Sequence, residues 1–215
     1  MIRRVLAVAL LLAAGPASLG WSVKAQAPRQ GCPAIADDQI WVPGGQGQFG
    51  SNVAYAEEGP KYTATIKGFW IDRHEVTNIQ YAAFVRATGH VTRAETEGRS
   101  FVFDPPGADE RPVAPDQWWH YVKGADWRHP EGPQSNLIGR NRLPVVHIAH
   151  ADAQAYARWA GRTLPSEEQF EYAARAGQAE SLDQPAPDIA NSWQGDFPVS
   201  NDGKDGYTRL APVGC

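Results

Sequence analysis

The groups in this sequence that could do chemistry are an oxygen-rich stretch near the C-terminus, one carboxylate ahead of a helix, and a few histidines and cysteines. Asn201-Asp202-Gly203-Lys204-Asp205-Gly206 offers side-chain oxygens at the spacing with which EF-hand loops begin, and oxygen donors suit a hard cation such as Ca²⁺. An EF-hand needs a bidentate Glu at its twelfth position, and Pro212 stands there, so that loop is excluded. An ordinary Asx/Gly turn is the plain alternative. His147 and His150 lie three apart, as zinc ligands sometimes do, but no third ligand follows nearby. His147 is expected instead to be a hydrogen-bonded residue of a buried strand, and His129 a donor that orders its loop. The two cysteines, Cys32 and Cys215, could pair in an oxidising compartment. Neither has a neighbouring histidine, so a thiol nucleophile is not indicated. No Ser/His/Asp triad, phosphate loop or basic stripe is present.

These residues need elements to position them. A strand and Gly turn begin at Trp41-Val42-Pro43-Gly44-Gly45, and Thr63 to Ile71 is rich in β-branched and aromatic residues, which predicts one strand. Thr77 or Asn78 caps a helix whose inner face is Tyr81, Phe84 and Val85, at i, i+3, i+4 spacing, and which ends at Gly89. Glu75 sits just ahead of that helix, where a carboxylate is favourable in any case. Residues 89–142 hold no long element, and a stretch of that length is usually a functional surface. Pro144 to Ile148 predicts a short buried strand, and Asp152 to Ala160 an Ala-rich helix closed by Gly161. Ser166 and Gln169 match a capping box. The helix they start is expected to turn Phe170, Ala173 and Ala174 to the core and to stop at Gly177. The alternation is too irregular for a Rossmann or barrel pattern.

Composition bounds the class. The chain has 215 residues, with 42% hydrophobic and 20% charged side chains, enough apolar material for one domain with a core. Gly 21 and Pro 17 exceed what a helical bundle tolerates, which points to a loop-rich α+β domain. A net charge of -4 argues against a nucleic-acid partner. Residues 1–27 resemble a signal peptide with its cleavage region: Arg3 and Arg4 precede an apolar run from Val5 to Ala14, and cleavage is expected after Ala25. That run is half of what a bilayer span needs, so no stable membrane span is expected. Export to a periplasm or the cell exterior follows, with 28–39 as a flexible tail.

Longer blocks carry a family resemblance. Gly68-Phe69-Trp70-Ile71-Asp72-Arg73-His74-Glu75-Val76-Thr77-Asn78, Gly124-Ala125-Asp126-Trp127-Arg128-His129-Pro130-Glu131-Gly132-Pro133 and Pro144-Val145-Val146-His147 resemble the formylglycine-generating enzyme (sulfatase-modifying factor) family. So do Phe101-Val102-Phe103 and the run from Tyr156 to Glu167. The match extends from about Ile40 to Val213. It implies a C-type-lectin-like α+β fold with little regular structure. It also implies an activity: copper- and oxygen-dependent oxidation of a cysteine in a sulfatase Cys-x-Pro-x-Arg segment to formylglycine. In the family two cysteines hold Cu(I), a soft ion selected by thiolates, in a C-terminal Gly-Gly-Ser-aromatic segment that this chain does not contain. The expectation is a domain over 40–215 that is C-terminally incomplete, with no catalytic residue of its own and no copper ligand. The alternative is a non-catalytic relative that binds sulfatase-like peptides, or an inactive fragment.

The resemblance also assigns sites. Glu75 corresponds to an acidic residue that helps bind the substrate arginine, and Trp118 to a groove tryptophan that packs on the peptide. Arg99 stands where some members carry a second arginine-binding acid, so the charge there is reversed. Asn191, Ser192, Asp205 and Tyr207 correspond to a calcium-binding set of side-chain and carbonyl oxygens. The implied partner is a sulfatase or sulfatase-like polypeptide.

Overall fold

Short strands and tight caps, rather than long elements, organise the chain in a computed structural model that describes residues 39–52, 56–107, 114, 117–175 and 191–215. The signal segment, all of the tail but Gln39, and the Gly177 helix stop lie outside the described residues. Strand β1 (Gln39–Val42) pairs antiparallel with β4 (Phe69–Asp72), and β2 (Gly45–Phe49) with β3 (Tyr62–Ile66). The one strand expected over Thr63–Ile71 is therefore two, broken at Lys67-Gly68, and its halves belong to different ribbons. The break has a steric cause. A Cβ on Gly68 would lie 2.4 Å from the Trp41 ring, so the chain must cross there without a side chain.

Helix α1 (Asn78–Thr88) starts where its caps dictate. The Thr77 amide donates to Gln80 Oε1 at 2.9 Å and the Gln80 amide to Thr77 Oγ1 at 3.4 Å, a reciprocal capping box. Gly89 closes the helix at φ 67°. The inner face is the expected one: Tyr81, Phe84 and Val85 are buried, and with Trp127 and Tyr156 they form the core. Tyr81 stacks on Tyr156 at 5.9 Å and meets Trp127 edge-on at 5.3 Å. Each such ring contributes roughly 1.5–3 kcal/mol on burial, so this cluster anchors α1 against α3 (His150–Trp159).

Two expectations need correction, and a third needs detail. Pro144–Ile148 is no strand: it makes one bridge, Thr77 to Pro144, and the backbone then turns at His147, φ 61°. Residues 89–142 hold no long element but do contain a short helix, α2 (Arg93–Glu97), and a hairpin of β5 (Arg99–Phe103) and β6 (Trp119–Lys123). Helix α4 (Glu167–Ala174) is capped by Ser166 and Gln169 as expected, yet it faces the other way. Phe170 is 63% exposed. The inward residue is Tyr172, whose ring lies where a Cβ on Gly47 would be 2.9 Å away. The side-chain-free track of Gly45 and Gly47 in β2 takes the tyrosine, and Phe170 is left outside.

The described residues thus form a mixed helix and strand domain with three two-stranded ribbons, and α1, α3 and Trp127 make its packed centre. No helix among the described residues is long and apolar enough to cross a membrane.

Candidate functional site

Asp152 is the buried polar residue that aligns the segments leading to the site. Its Oδ2 accepts the Ala149 amide at 3.0 Å, capping α3, and the Arg93 amide at 3.2 Å, fixing the start of α2. Its Oδ1 meets His90 Nε2 at 2.8 Å. Helix α2 carries its own box, Thr92 with Glu95, and Gly98 at φ 67° turns the chain directly into β5. Arg128 lies over the Trp127 ring at 4.3 Å and pairs with Glu95. The loop after β6 is tied by Asp126, whose Oδ1 accepts the Arg128 amide at 2.7 Å and the His129 amide at 2.9 Å. His129 thus orders its loop, as expected.

His147 joins these parts. Its Nε2 lies 2.8 Å from the Pro130 carbonyl and its Nδ1 2.9 Å from Ser100 Oγ. A carbonyl can only accept, so Nε2 carries a proton and donates it to Pro130, while the serine hydroxyl, able to donate or accept, satisfies Nδ1. Both nitrogens are engaged, and the positive φ places the ring between β5 and the 124–133 loop. Groups of three or more His, Cys, Asp or Glu that could hold a metal are absent among the described residues.

The β5–β6 hairpin has two unlike faces. Val102 and Val122 point inward, whereas Arg99, Phe101 and Phe103 of β5 share the outer face with Trp119, Tyr121 and Lys123 of β6. Phe103 continues to Trp193 at 5.6 Å and Phe197 at 6.0 Å, and Trp118 meets Phe197 edge-on at 5.9 Å. Trp118 is half-buried and belongs to this aromatic row. A cavity of about 190 Å³ opens at its end, lined by Phe103, Pro105, Pro106, Trp193 and Arg209 among others. Glu75 is exposed between β4 and Thr77, and among the described residues it has no hydrogen-bond or ion-pair partner. No hydrogen bond, ion pair or ring contact links it to Trp118.

In the 191–209 loop Asp205 is held by Gln194, a residue that sequence reasoning missed. Gln194 is buried, and its Oε1 accepts the Asp205 amide at 2.9 Å. Asn191 Nδ2 donates to the Arg209 carbonyl at 3.0 Å, closing the loop's ends. Asp205 Oδ1 accepts the Tyr207 amide at 2.8 Å, an Asx-turn. Its Oδ2 is buried with no partner. The available signal for Gln194 was its place between Trp193 and Gly195, too common a context to single it out.

A model of the sulfatase-modifying factor enzyme 1-like domain matches residues 24–215, and the chain belongs to that family. Among its relatives is the formylglycine-generating enzyme of Mycobacterium tuberculosis, 44% identical over 199 residues, covering 80% of this chain and 65% of that protein. The inactive C-alpha-formylglycine-generating enzyme 2 of Bos taurus is 37% identical over 188 residues, covering 82% of this chain and 62% of that protein. This chain thus spans somewhat under two thirds of the length of both relatives. A solved structure, PvdO from Pseudomonas aeruginosa, is 24% identical with a TM-score of 0.49, covering 81% of this chain and 60% of that one.

Proposed function

We propose that these 215 residues supply polypeptide recognition in a formylglycine-generating type of reaction, binding an extended segment of a sulfatase-like protein. The observation that carries this is the 44% identity to a formylglycine-generating enzyme over 80% of the chain. The exposed aromatic row around Trp118 supports it, because flat rings beside a cavity suit an extended peptide. The oxidation itself is a family-level reading. Copper would be held by thiolates, and among the described residues the one cysteine, Cys215, is disulfide-bonded. The described residues therefore do not fit copper, and no step is routed through it. Cys32 lies outside them. The C-type-lectin-like fold and the binding roles of Glu75 and Trp118 belong to the same proposal.

Calcium is proposed for the 191–209 loop. Asp205 Oδ2 is a buried, unpartnered carboxylate oxygen, and with Asn191 Oδ1 and the Ser192 and Tyr207 carbonyls it offers only hard donors. Bound there, calcium would neutralise Asp205 and stiffen the loop that carries Trp193 and Phe197. Export is proposed as well, and the Cys215 disulfide supports it, since such bonds persist in oxidising compartments.

The test is direct. The purified chain is mixed with a labelled Cys-x-Pro-x-Arg peptide for binding, and separately with copper, oxygen and that peptide for mass spectrometry. Binding without aldehyde is the expected result. Aldehyde above a no-protein control would favour the second reading, an active oxidase, for which the enzyme relatives speak. Failure to bind this peptide or any variant of it would sink the recognition reading.

A further inference from the structure

The β1–β4 ribbon carries a second aromatic surface, apart from the β5–β6 face. Its register sets Trp41 opposite Trp70 and Gln39 opposite Asp72, so all four side chains share one side of the ribbon. The two indoles are 5.5 Å apart at their centroids and inclined at 59°, and they are 52% and 61% exposed. Trp41 is held in place from behind. Its ring backs onto Gly68, where even a Cβ would lie 2.4 Å away. Large rings left in water side by side mark an interaction surface.

The polar end of the same face decides what it can hold. Two residues along the ribbon, roughly 7 Å from the indoles, Gln39 Nε2 donates to Asp72 Oδ1 at 2.9 Å, and Arg162 forms an ion pair with Asp72 Oδ2. Asp72 and Arg162 are both part-exposed. The guanidinium cancels the carboxylate, so this end is rich in hydrogen-bonding groups and neutral in charge. An aromatic cage for a cation gains from an uncompensated carboxylate, and Asp72 is already compensated. The open area is also small. A tryptophan presents at most about 250 Å², so the exposed parts of the pair come to roughly 250–300 Å². A stable protein interface covers about 800 Å² on each partner.

A neutral sugar ring meets both halves of this description. A pyranose with equatorial hydroxyls has apolar C–H faces that lie flat on an indole, and a rim of hydroxyls that donate and accept. We propose that the β1–β4 face binds a neutral oligosaccharide of such rings. One ring stacks on Trp41 and Trp70, and its hydroxyls, or those of the next unit, bond to Gln39, Asp72 and Arg162. The site lies on a different ribbon from the aromatic row around Trp118 and is independent of the polypeptide-binding function.

Isothermal titration of the full chain with two flat neutral oligosaccharides, cellopentaose and chitopentaose, tests it. At least one should bind saturably. Trp70→Ala should weaken that binding about three- to tenfold, the loss of one stacking partner, and Trp70→Phe should recover part of it. Gln39→Ala should cost about threefold, one hydrogen bond. Trp70 is mostly exposed, and unchanged circular dichroism would show that its variants fold. Binding of the Cys-x-Pro-x-Arg peptide should be the same in all of them. Failure of both sugars to bind overturns the inference, as does sugar binding that Trp70→Ala and Gln39→Ala leave intact. Saturable binding of choline or of phosphatidylcholine vesicles in place of sugar overturns it too. Each of these results leaves the polypeptide-binding function to its own assay; loss of sugar and peptide together in Trp70→Ala would show one shared surface and overturn the separate site.

Discussion

Asp152→Ala should be the most damaging single change that touches none of the proposed binding surface. The carboxylate is 3% exposed and receives donors from three places: Ala149 at the start of α3, Arg93 at the start of α2, and His90. Ala149 has no side chain with which to cap α3, so Asp152 supplies the only side-chain half of that cap. Losing a cap costs about 1 kcal/mol. Leaving two further buried donors without an acceptor costs roughly 1–3 kcal/mol between them after local relaxation. The total is about 2–4 kcal/mol, which for a chain of this size lowers Tm by roughly 5–15 °C. Urea unfolding and calorimetry measure it. His90→Ala removes only the 2.8 Å contact and should cost about 1 kcal/mol. The double variant should fall well short of the sum, because both single changes delete the same contact. An Asp152→Ala loss below 1 kcal/mol, or strict additivity with His90→Ala, would refute the account.

Other outcomes follow from the same structure. Calcium at a hundred times its dissociation constant should add about 2.7 kcal/mol to the stability of the chain, and Asp205→Asn should abolish that gain; superimposable melting curves with calcium and with chelator would dispose of the site. Gly47→Val should cost about 1–3 kcal/mol by overpacking, since its Cβ would sit 2.8 Å from the Phe49 ring and 2.9 Å from Tyr172; a wild-type urea midpoint would show that α4 does not dock there. The Tyr81 hydroxyl is buried and unpartnered, and burial first, then the charges of Asp152 and Glu95, push its pKa well above the usual value. Its contribution is fully present below pH 10, the unfolded phenol value, and is lost as pH rises towards the folded one. Stability should therefore fall by about 1.4 kcal/mol per pH unit above pH 10 from this proton alone, and Tyr81→Phe should remove that component of the slope without cost at pH 7.

The helix starts were legible because a capping box is local. Thr77 with Gln80 and Ser166 with Gln169 satisfy amides three residues away, and nothing distant can change that. Thr92 with Glu95 has the same form, but α2 spans only five residues, too few for an apolar period to announce it. Where the answer depended on a partner, local pattern misled. The apolar face read for α4 was Phe170, Ala173 and Ala174, whereas Tyr172 is drawn to a surface made flat by two glycines more than 120 residues away. The break in Thr63–Ile71 likewise depends on Trp41, and the turn at His147 on Ser100 and Pro130, none of them adjacent.

The site divides along the same line. Asp205 is assigned only through the family resemblance, while Gln194, on which the loop is hung, offers no local cue at all. The aromatic row is assembled from β5, β6 and residues 193–197, so its rings are scattered in the chain and converge only through strand register and the 191–209 loop. Arg99 shows what that convergence adds. Alone it is a reversed charge at one position, and one exposed cation costs a surface almost nothing. The register sets Lys123 directly opposite Arg99 and Tyr121 under its guanidinium, neighbours that no local pattern announces.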